Sequence, residues 1–275
     1  MSPRKVSKPS APAKRLEQSK SMDQSSRLHE ILELLEENSS CSIADLAQRF
    51  EVSEETIRRD VRQLENTGRV RKVHGGVRLP DNVFEAAYHQ RINENAQLKR
   101  QIGLKAAEMV SDGMTLLIDS GSSAYWVAKA LNKVRNLTII TNAIEVAREM
   151  TGRNNARVYF AGGEIYENYC SSFGPETQNF MKRFTPEIAF FSIGAMEAKR
   201  GLLDYFLPEA ELKQAIAPLA RKIVVLVDST KFERHGLIRT FDFKDIHVLV
   251  TDADPGPELR KVMDGVEILI AGKPD

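Results

Sequence analysis

Residues 52–65 read VSEETIRRDVRQLE, and this stretch decides how the N-terminal part of the chain folds. Ile57, Val61 and Leu64 recur at helical spacing and give one apolar face. Ser53 stands where a hydroxyl caps a first helical turn. With the apolar face inward, the helical step turns Glu55, Arg59, Arg62 and Asn66 outward and leaves Arg58 at the flank. Such a face carries the chemistry of base edges. Arginine forks onto guanine O6 and N7, and glutamate accepts from cytosine N4. Ser53, Thr56 and the helix N-terminus suit phosphate oxygens. A merely solvated charged face is the plainer alternative. Three arginines within residues 58–62, followed at once by a basic hairpin, weigh against it.

Working outward, Leu28, Ile31, Leu32 and Leu35 mark an earlier helix. A second, short helix starts at Ser42, where Ser-Ile-Ala-Asp fits a capping box closed by Asp45. Its inward side is Ile43, Leu46, Ala47 and Phe50. Gly68 ends the third helix, and residues 69–79 read as two short strands around Gly75 and Gly76. Helix, tight turn, helix and hairpin together predict a winged helix-turn-helix that reads double-stranded DNA. Residues 58–78 hold seven basic side chains, Arg71 among them, against Asp60 and Glu65, in a chain of net charge +1. A basic patch in a near-neutral chain points to an anionic partner.

The run at 52–65, with RKVHGGV at 71–77, closely resembles the signature of the DeoR family of transcriptional regulators over residues 24–79. The resemblance implies that residues 52–60 form the recognition helix and that His74, Gly75 and Gly76 belong to the wing, His74 packing the turn or touching phosphate. Val61 and Val77 stand where relatives often carry Leu and Ala.

Beyond a polar connector at 80–95, the pattern changes. A helix runs through Ile102, Ala106, Ala107 and Val110. Short, continuous apolar runs follow at 115–119, 137–141, 157–161, 188–193, 222–228, 247–251 and 266–271. Helical stretches at 124–131, 143–151 and 209–220 separate several of them. Fully apolar strands alternating with helices predict an α/β doubly wound, mostly parallel sheet. Ligands of such sheets bind beyond the carboxyl ends of the strands. There the sequence places Asp119, Ser120, Gly121, Ser122 and Ser123 after the first strand, Thr141 and Asn142 after the second, Gly162 and Gly163 after the third, and Asp228 to Lys231 after a later one. Gly121 is expected to let the backbone approach a ligand, and Lys231 to supply a positive charge for an anion. An exposed loop lysine is the plainer alternative for Lys231.

These segments are similar to the DeoR C-terminal sensor domain over roughly residues 98–253. The resemblance implies a fold related to ribose-phosphate isomerases and CoA transferases, with a sugar phosphate surrounded by these strand ends and by Glu211 and Lys213. Ser122, Ser123 and Thr230 replace hydroxyl residues of the family pattern by other hydroxyl residues, and Tyr205 with Phe206 is expected to shape ligand choice.

The expected organisation is a disordered basic tail at 1–22, a winged helix-turn-helix at 23–79, a linker at 80–97, and a sensor and oligomerisation domain at 98–275. The tail carries six basic residues against Glu17 and no apolar periodicity. Cys41 and Cys170 are too few for a disulfide framework, and no apolar run approaches the roughly 20 residues that span a bilayer. Bacterial cytoplasm, with the nucleoid when bound to DNA, is the expected setting. The reading is therefore a repressor of a carbohydrate operon, a homo-oligomer (dimer or tetramer), released by a phosphorylated sugar or polyol, with no cofactor, no metal and no catalytic residue. Two alternatives stand beside it. One is a sugar-phosphate isomerase with a DNA-binding appendage, using Glu211, Lys213 and Lys231 as acid–base groups; the other is a constitutive DNA-binding scaffold with an empty sensor.

Overall fold

The computed structural model describes residues 24–38, 40–66, 70–73, 75–78 and 86–272. The basic tail, Gly68 and His74 lie outside the described residues. Two compact units divide the chain, Met1–Pro80 and Asp81–Asp275.

In the first unit, α1 (Gln24–Asn38), α2 (Ile43–Arg49) and α3 (Glu54–Asn66) bring their apolar faces together. Ile31, Leu35, Leu46, Ile57, Val61 and Leu64 are all buried there. Burying each such side chain contributes about 1.5–3 kcal/mol, which is what holds so small a unit. The Ser42 hydroxyl caps α2 by accepting from the Asp45 N–H at 3.0 Å, the Ser42 half of the expected box. The hairpin forms from β2 (Arg71–Val73) and β3 (Gly76–Arg78). A third strand, β1 (Ser40–Ser42), was not anticipated. It pairs antiparallel with β3, so the order is β1-β3-β2. Gly76 is required by this pairing, because a Cβ there would sit 2.6 Å from the Cys41 carbonyl oxygen.

The second unit opens with α4 (Tyr88–Asn93) and α5 (Ala96–Ala107). Its sheet contains β4 (Thr115–Ile118), β5 (Thr138–Thr141), β6 (Arg157–Phe160), β9 (Ile188–Ser192), β12 (Lys222–Val227), β14 (Val248–Thr251) and β15 (Glu267–Ile270). The seven are all parallel, in the order β15-β14-β12-β9-β4-β5-β6, and coincide with the seven apolar runs of the sequence. Helices α6 (Ser122–Ala130), α7 (Ile144–Met150), α8 (Pro175–Met181), α9 (Leu207–Ile216) and α10 (Gly256–Val262) complete it. Two apolar clusters flank the sheet, one around Ile118, Val127 and Phe190, the other around Phe191, Val225 and Leu212. Alternate residues of one strand, Phe190 and Phe191, thus serve opposite faces.

The sequence did not reveal the antiparallel sheet of β10 (Ala195–Glu197), β11 (Gly201–Asp204) and β13 (Ile238–Phe241), or the hairpin of β7 (Ile165–Tyr166) and β8 (Ser171–Ser172). The expected polar connector at 80–95 is also corrected in part: residues 88–93 are helical, with Tyr88 only 1% exposed.

From β6 the chain returns across the sheet to β9, on the other side of β4. The strand order therefore reverses between β4 and β9, and a crevice opens there at the carboxyl ends.

Candidate DNA-reading surface and effector cleft

Glu55, Arg58, Arg59 and Arg62 are exposed on α3, as is Ser53 just before it. The Ser53 hydroxyl accepts from the Thr56 N–H at 3.2 Å and bonds the Thr56 hydroxyl at 2.9 Å, so both already cap the helix. Arg58 is drawn back along its own helix to Glu54 at 2.6 Å. Arg59 and Arg62 form the outward pair. Arg71 is exposed on β2. Lys72 reaches Glu65 at 2.7 Å, an ion pair that holds the Glu65 carboxyl below its usual range and ties β2 to α3. Gly75 is exposed at the turn, but Gly76 is buried between strands, so its place in the sequence-predicted DNA set is corrected to a structural one.

Asp60 interrupts the row of exposed charges. It is fully buried on the inner face of α3, where it accepts from Arg27 Nε at 2.6 Å and from Gln24 Nε2 at 2.9 Å. These bonds fix α1 against the helix that carries Arg59 and Arg62.

In the second unit, the crevice between β4 and β9 is a cleft lined by Gly121, Ser122, Ser123, Ser192, Asp228 and Lys231 from strand ends, and by Arg91, Lys99, Asp204, Glu209 and Lys213 from neighbouring elements. The first turn of α6 lines it through Ser122 and Ser123, whose N–H groups have no helical carbonyl, while the Ala124 N–H is taken by the Ser192 hydroxyl at 3.0 Å. Ser122 and Ser123 are buried within it. Arg91, Lys99 and Lys231 supply cations. Lys99 is 2% exposed, and burial pulls its amine down to about 8.

Asp119 organises the loop. Its Oδ1 accepts from the Gly121 N–H at 3.0 Å and its Oδ2 from the Ser192 N–H at 3.0 Å, so it bridges β4 to β9. Burial pushes its carboxyl upward, opposed by Lys213. Gly121 has ordinary extended backbone angles. The expected reason for it is corrected: a Cβ there would lie 2.1 Å from the Ser192 Cβ, so the glycine serves the joint between strands.

Lys213 is buried among carboxylates. It donates to Glu209 at 2.9 Å, to Asp204 at 3.0 Å and to the Ser192 carbonyl at 2.7 Å, with Asp119 at 3.6 Å. These charges outweigh burial and raise its pKa above the usual lysine value. Glu211, expected beside it, is exposed and off the cleft; Glu209, one turn before Lys213, takes that place. On a helix, residues four apart share a face and residues two apart do not.

The cleft does not gather the remaining expected residues. Ser120 is buried. Thr141 accepts the Ala143 N–H at 3.1 Å within its own turn, and Asn142 donates to the Ser172 carbonyl at 2.8 Å and so braces β8. Gly162 and Gly163 are exposed at the end of the edge strand β6. Sequence reasoning missed Arg91, Lys99, Asp204 and Glu209. For Lys99 the signal was present: it lies in phase with Ile102 and Ala106, a basic residue on an otherwise apolar face.

The model of the DeoR-like helix-turn-helix domain matches residues 27–83, and that of the DeoR C terminal sensor domain matches residues 94–253. The chain belongs to the DeoR family of transcriptional regulators. Among DeoR-family relatives, the Glycerol-3-phosphate regulon repressor of Escherichia coli (strain K12) is 30% identical over 88% of this chain and 96% of its own. The Transcriptional repressor AccR of Agrobacterium fabrum is 31% identical over 82% of this chain and 89% of its own. Among solved structures, ribose 5-phosphate isomerase A from Methanocaldococcus jannaschii overlaps 50% of this chain and 54% of its own, at 19% identity and a TM-score of 0.37. Among the described residues of this DeoR-family chain, no helix is long and apolar enough to cross a membrane, and no group of three or more His, Cys, Asp or Glu could hold a metal ion.

Proposed function

We propose that this chain is a repressor whose second unit binds a phosphorylated sugar or polyol in the β4/β9 cleft and thereby releases its operator. The observation that carries the reading is the convergence of Arg91, Lys99 and Lys231 on the first turn of α6, at the strand-order reversal of a parallel sheet. Cations and a helix N-terminus suit a phosphate. Glu209 and Asp228, which also line the cleft, carry carboxylates that suit hydroxyls. That a similar protein is a glycerol-3-phosphate regulon repressor agrees with this ligand class.

On DNA, Arg59 and Arg62 read bases, with Glu55, while Ser53, Thr56, Arg58, Arg71 and the Gly75 turn lie along phosphates. One head covers a short half-site, and two-fold heads sit about 34–36 Å apart on neighbouring major grooves. The working form is therefore a homo-oligomer, and its setting the bacterial cytoplasm. Catalysis is no part of the reading. Lys213 is held as an ammonium by Asp204, Glu209 and Asp119, which suits it to bracing the cleft and not to proton abstraction.

The test is calorimetry with a panel of sugar and polyol phosphates, paired with operator release. A ligand must favour the released state to act; equal binding to both states shifts nothing. Binding of a phosphorylated compound that leaves operator occupancy unchanged at saturation refutes the switch. Turnover of such a compound would show the isomerase reading instead.

A further inference from the structure

We propose that an anion held in the cleft clamps α4 onto the second unit through Lys99. The inference rests on the reading of the cleft as an anion site, and it concerns what occupation does to the rest of the molecule.

α4 has six residues and is the first helix of its unit, reached by the chain from the DNA-reading head. So short a helix has little stability alone. Its seat consists of bonds to its surroundings. Lys99 Nζ donates to the Arg91 carbonyl at 2.5 Å, and Trp126 Nε1 donates to the Ile92 carbonyl at 3.3 Å. Both acceptors lie in the last turn, where a helix has no donors of its own left. Tyr88 anchors the other end in the core, and the Arg91 guanidinium lies over the rings of Tyr88 and Tyr169, at 5.6 and 5.4 Å from their centroids.

Lys99 belongs to both places. It lines the cleft and bonds the end of α4, and an ammonium has three donors with which to do so. Burial lowers its pKa to about 8. Lys231, in the turn after β12, and Arg91 on α4 push the same way; Asp228 at the end of β12 and Glu94 after α4 oppose them. An anion beside Lys99 favours the charged amine and relieves the repulsion among the three cations. Arg91, itself on α4 and in the cleft, is drawn to the same anion. Both effects act in one direction: an occupied cleft holds α4, and an empty one leaves it looser. Effector occupancy thus becomes order in the helix through which the chain enters the sensor.

The experiment is hydrogen exchange read by mass spectrometry on the full-length protein, with inorganic phosphate as the probe and rates corrected for intrinsic pH dependence. Phosphate binding is measured in parallel by calorimetry. Phosphate should slow exchange in peptides covering residues 88–94 by about tenfold for each unit by which it restores the Lys99 pKa. Without phosphate, the same peptides should exchange more slowly at pH 9 than at pH 7, because loss of the Lys99 charge removes the burial penalty that works against the docked helix. Lys99→Met should remove both responses while exchange in β4, β9 and β12 shows the sheet intact; Lys99→Arg should keep the phosphate response and lose the pH response. Trp126→Phe, outside the cleft, should speed exchange in α4 and still bind phosphate. Phosphate bound by wild type with unchanged exchange in 88–94 overturns the clamp and leaves the cleft reading standing. A phosphate response that survives in Lys99→Met overturns the role of Lys99. No phosphate binding to wild type at millimolar concentration overturns the cleft reading and the clamp with it.

Discussion

Arg27→Met isolates the buried Arg27–Asp60 ion pair beneath α3. Arg27 is 7% exposed and Asp60 is 0% exposed, with Nε–Oδ2 at 2.6 Å. Methionine keeps the volume of the stem but leaves the Asp60 carboxylate buried with only the Gln24 amide. Removing one partner of a buried pair costs about 3–5 kcal/mol. The elements of the unit run from Gln24 to Arg78, and at roughly 0.05–0.15 kcal/mol per residue the stability of such a span is about 3–8 kcal/mol. The substitution therefore removes most of it. At about 4–8 °C per kcal/mol for a small domain, the melting transition of this unit falls by at least about 12 °C. Scanning calorimetry on the full chain reads the shift, and fluorescence anisotropy with an operator duplex reads the lost binding. Adding Asp60→Leu should restore most of the stability, because a packed apolar pair replaces a buried ionic one at little or no cost. A single variant that melts within a few degrees of wild type refutes the argument. So does a double variant no more stable than the single one.

Arg59→Ala and Arg62→Ala should each weaken operator binding by about 1–3 kcal/mol with folding intact, and full affinity in both would remove that face from the interface. Gly121→Ala drives a methyl group into Ser192 and should lower sensor stability by about 1–3 kcal/mol, as overpacking does; adding Ser192→Gly should recover part of it, and an unshifted melt would contradict the steric argument. Because the empty cleft holds Lys99 near 8 and an anion prefers its charged form, phosphate affinity should be highest below that pH and decline above it; an affinity flat from pH 7 to 9.5 would show that Lys99 does not meet the anion. Sedimentation at micromolar concentration should show at least a dimer, and a monomer that binds the operator at full affinity would end that expectation.

The parallel sheet was legible because strands buried on both faces must be apolar throughout, and such runs are visible without knowing their partners. The small sheet was not, because β10 and β11 are short and meet through a turn at 198–200 that carries no hairpin dipeptide. β1 is Ser-Cys-Ser, three residues whose only reason to be extended is the wing strand lying beside them. In the cleft, motif position found the α6 loop and Lys231. It failed for Glu211 because a sequence motif fixes neighbours along the chain, whereas the helix decides which of two nearby glutamates turns inward. Thr141 and Asn142 look like ligand groups in one dimension, but neither lines the cleft, and the Thr141 hydroxyl and the Asn142 amide nitrogen bond the backbone of Ala143 and Ser172. Arg91 was hidden in a polar stretch, whereas Lys99 was legible as a basic residue in phase with the buried Ile102 and Ala106.

The strand order also dictates a sequence of events during synthesis. The first unit is built from contacts close along the chain, and local contacts form fast. The sensor sheet joins β4 to β9 across some 70 residues and receives its last strand, β15, only at residues 267–270. Domains generally fold as they emerge, N-terminal first. On the ribosome, the reading head is therefore complete while the cleft between β4 and β9 still lacks a wall. A newly made chain acquires its grip on DNA before it acquires its sense of the metabolite.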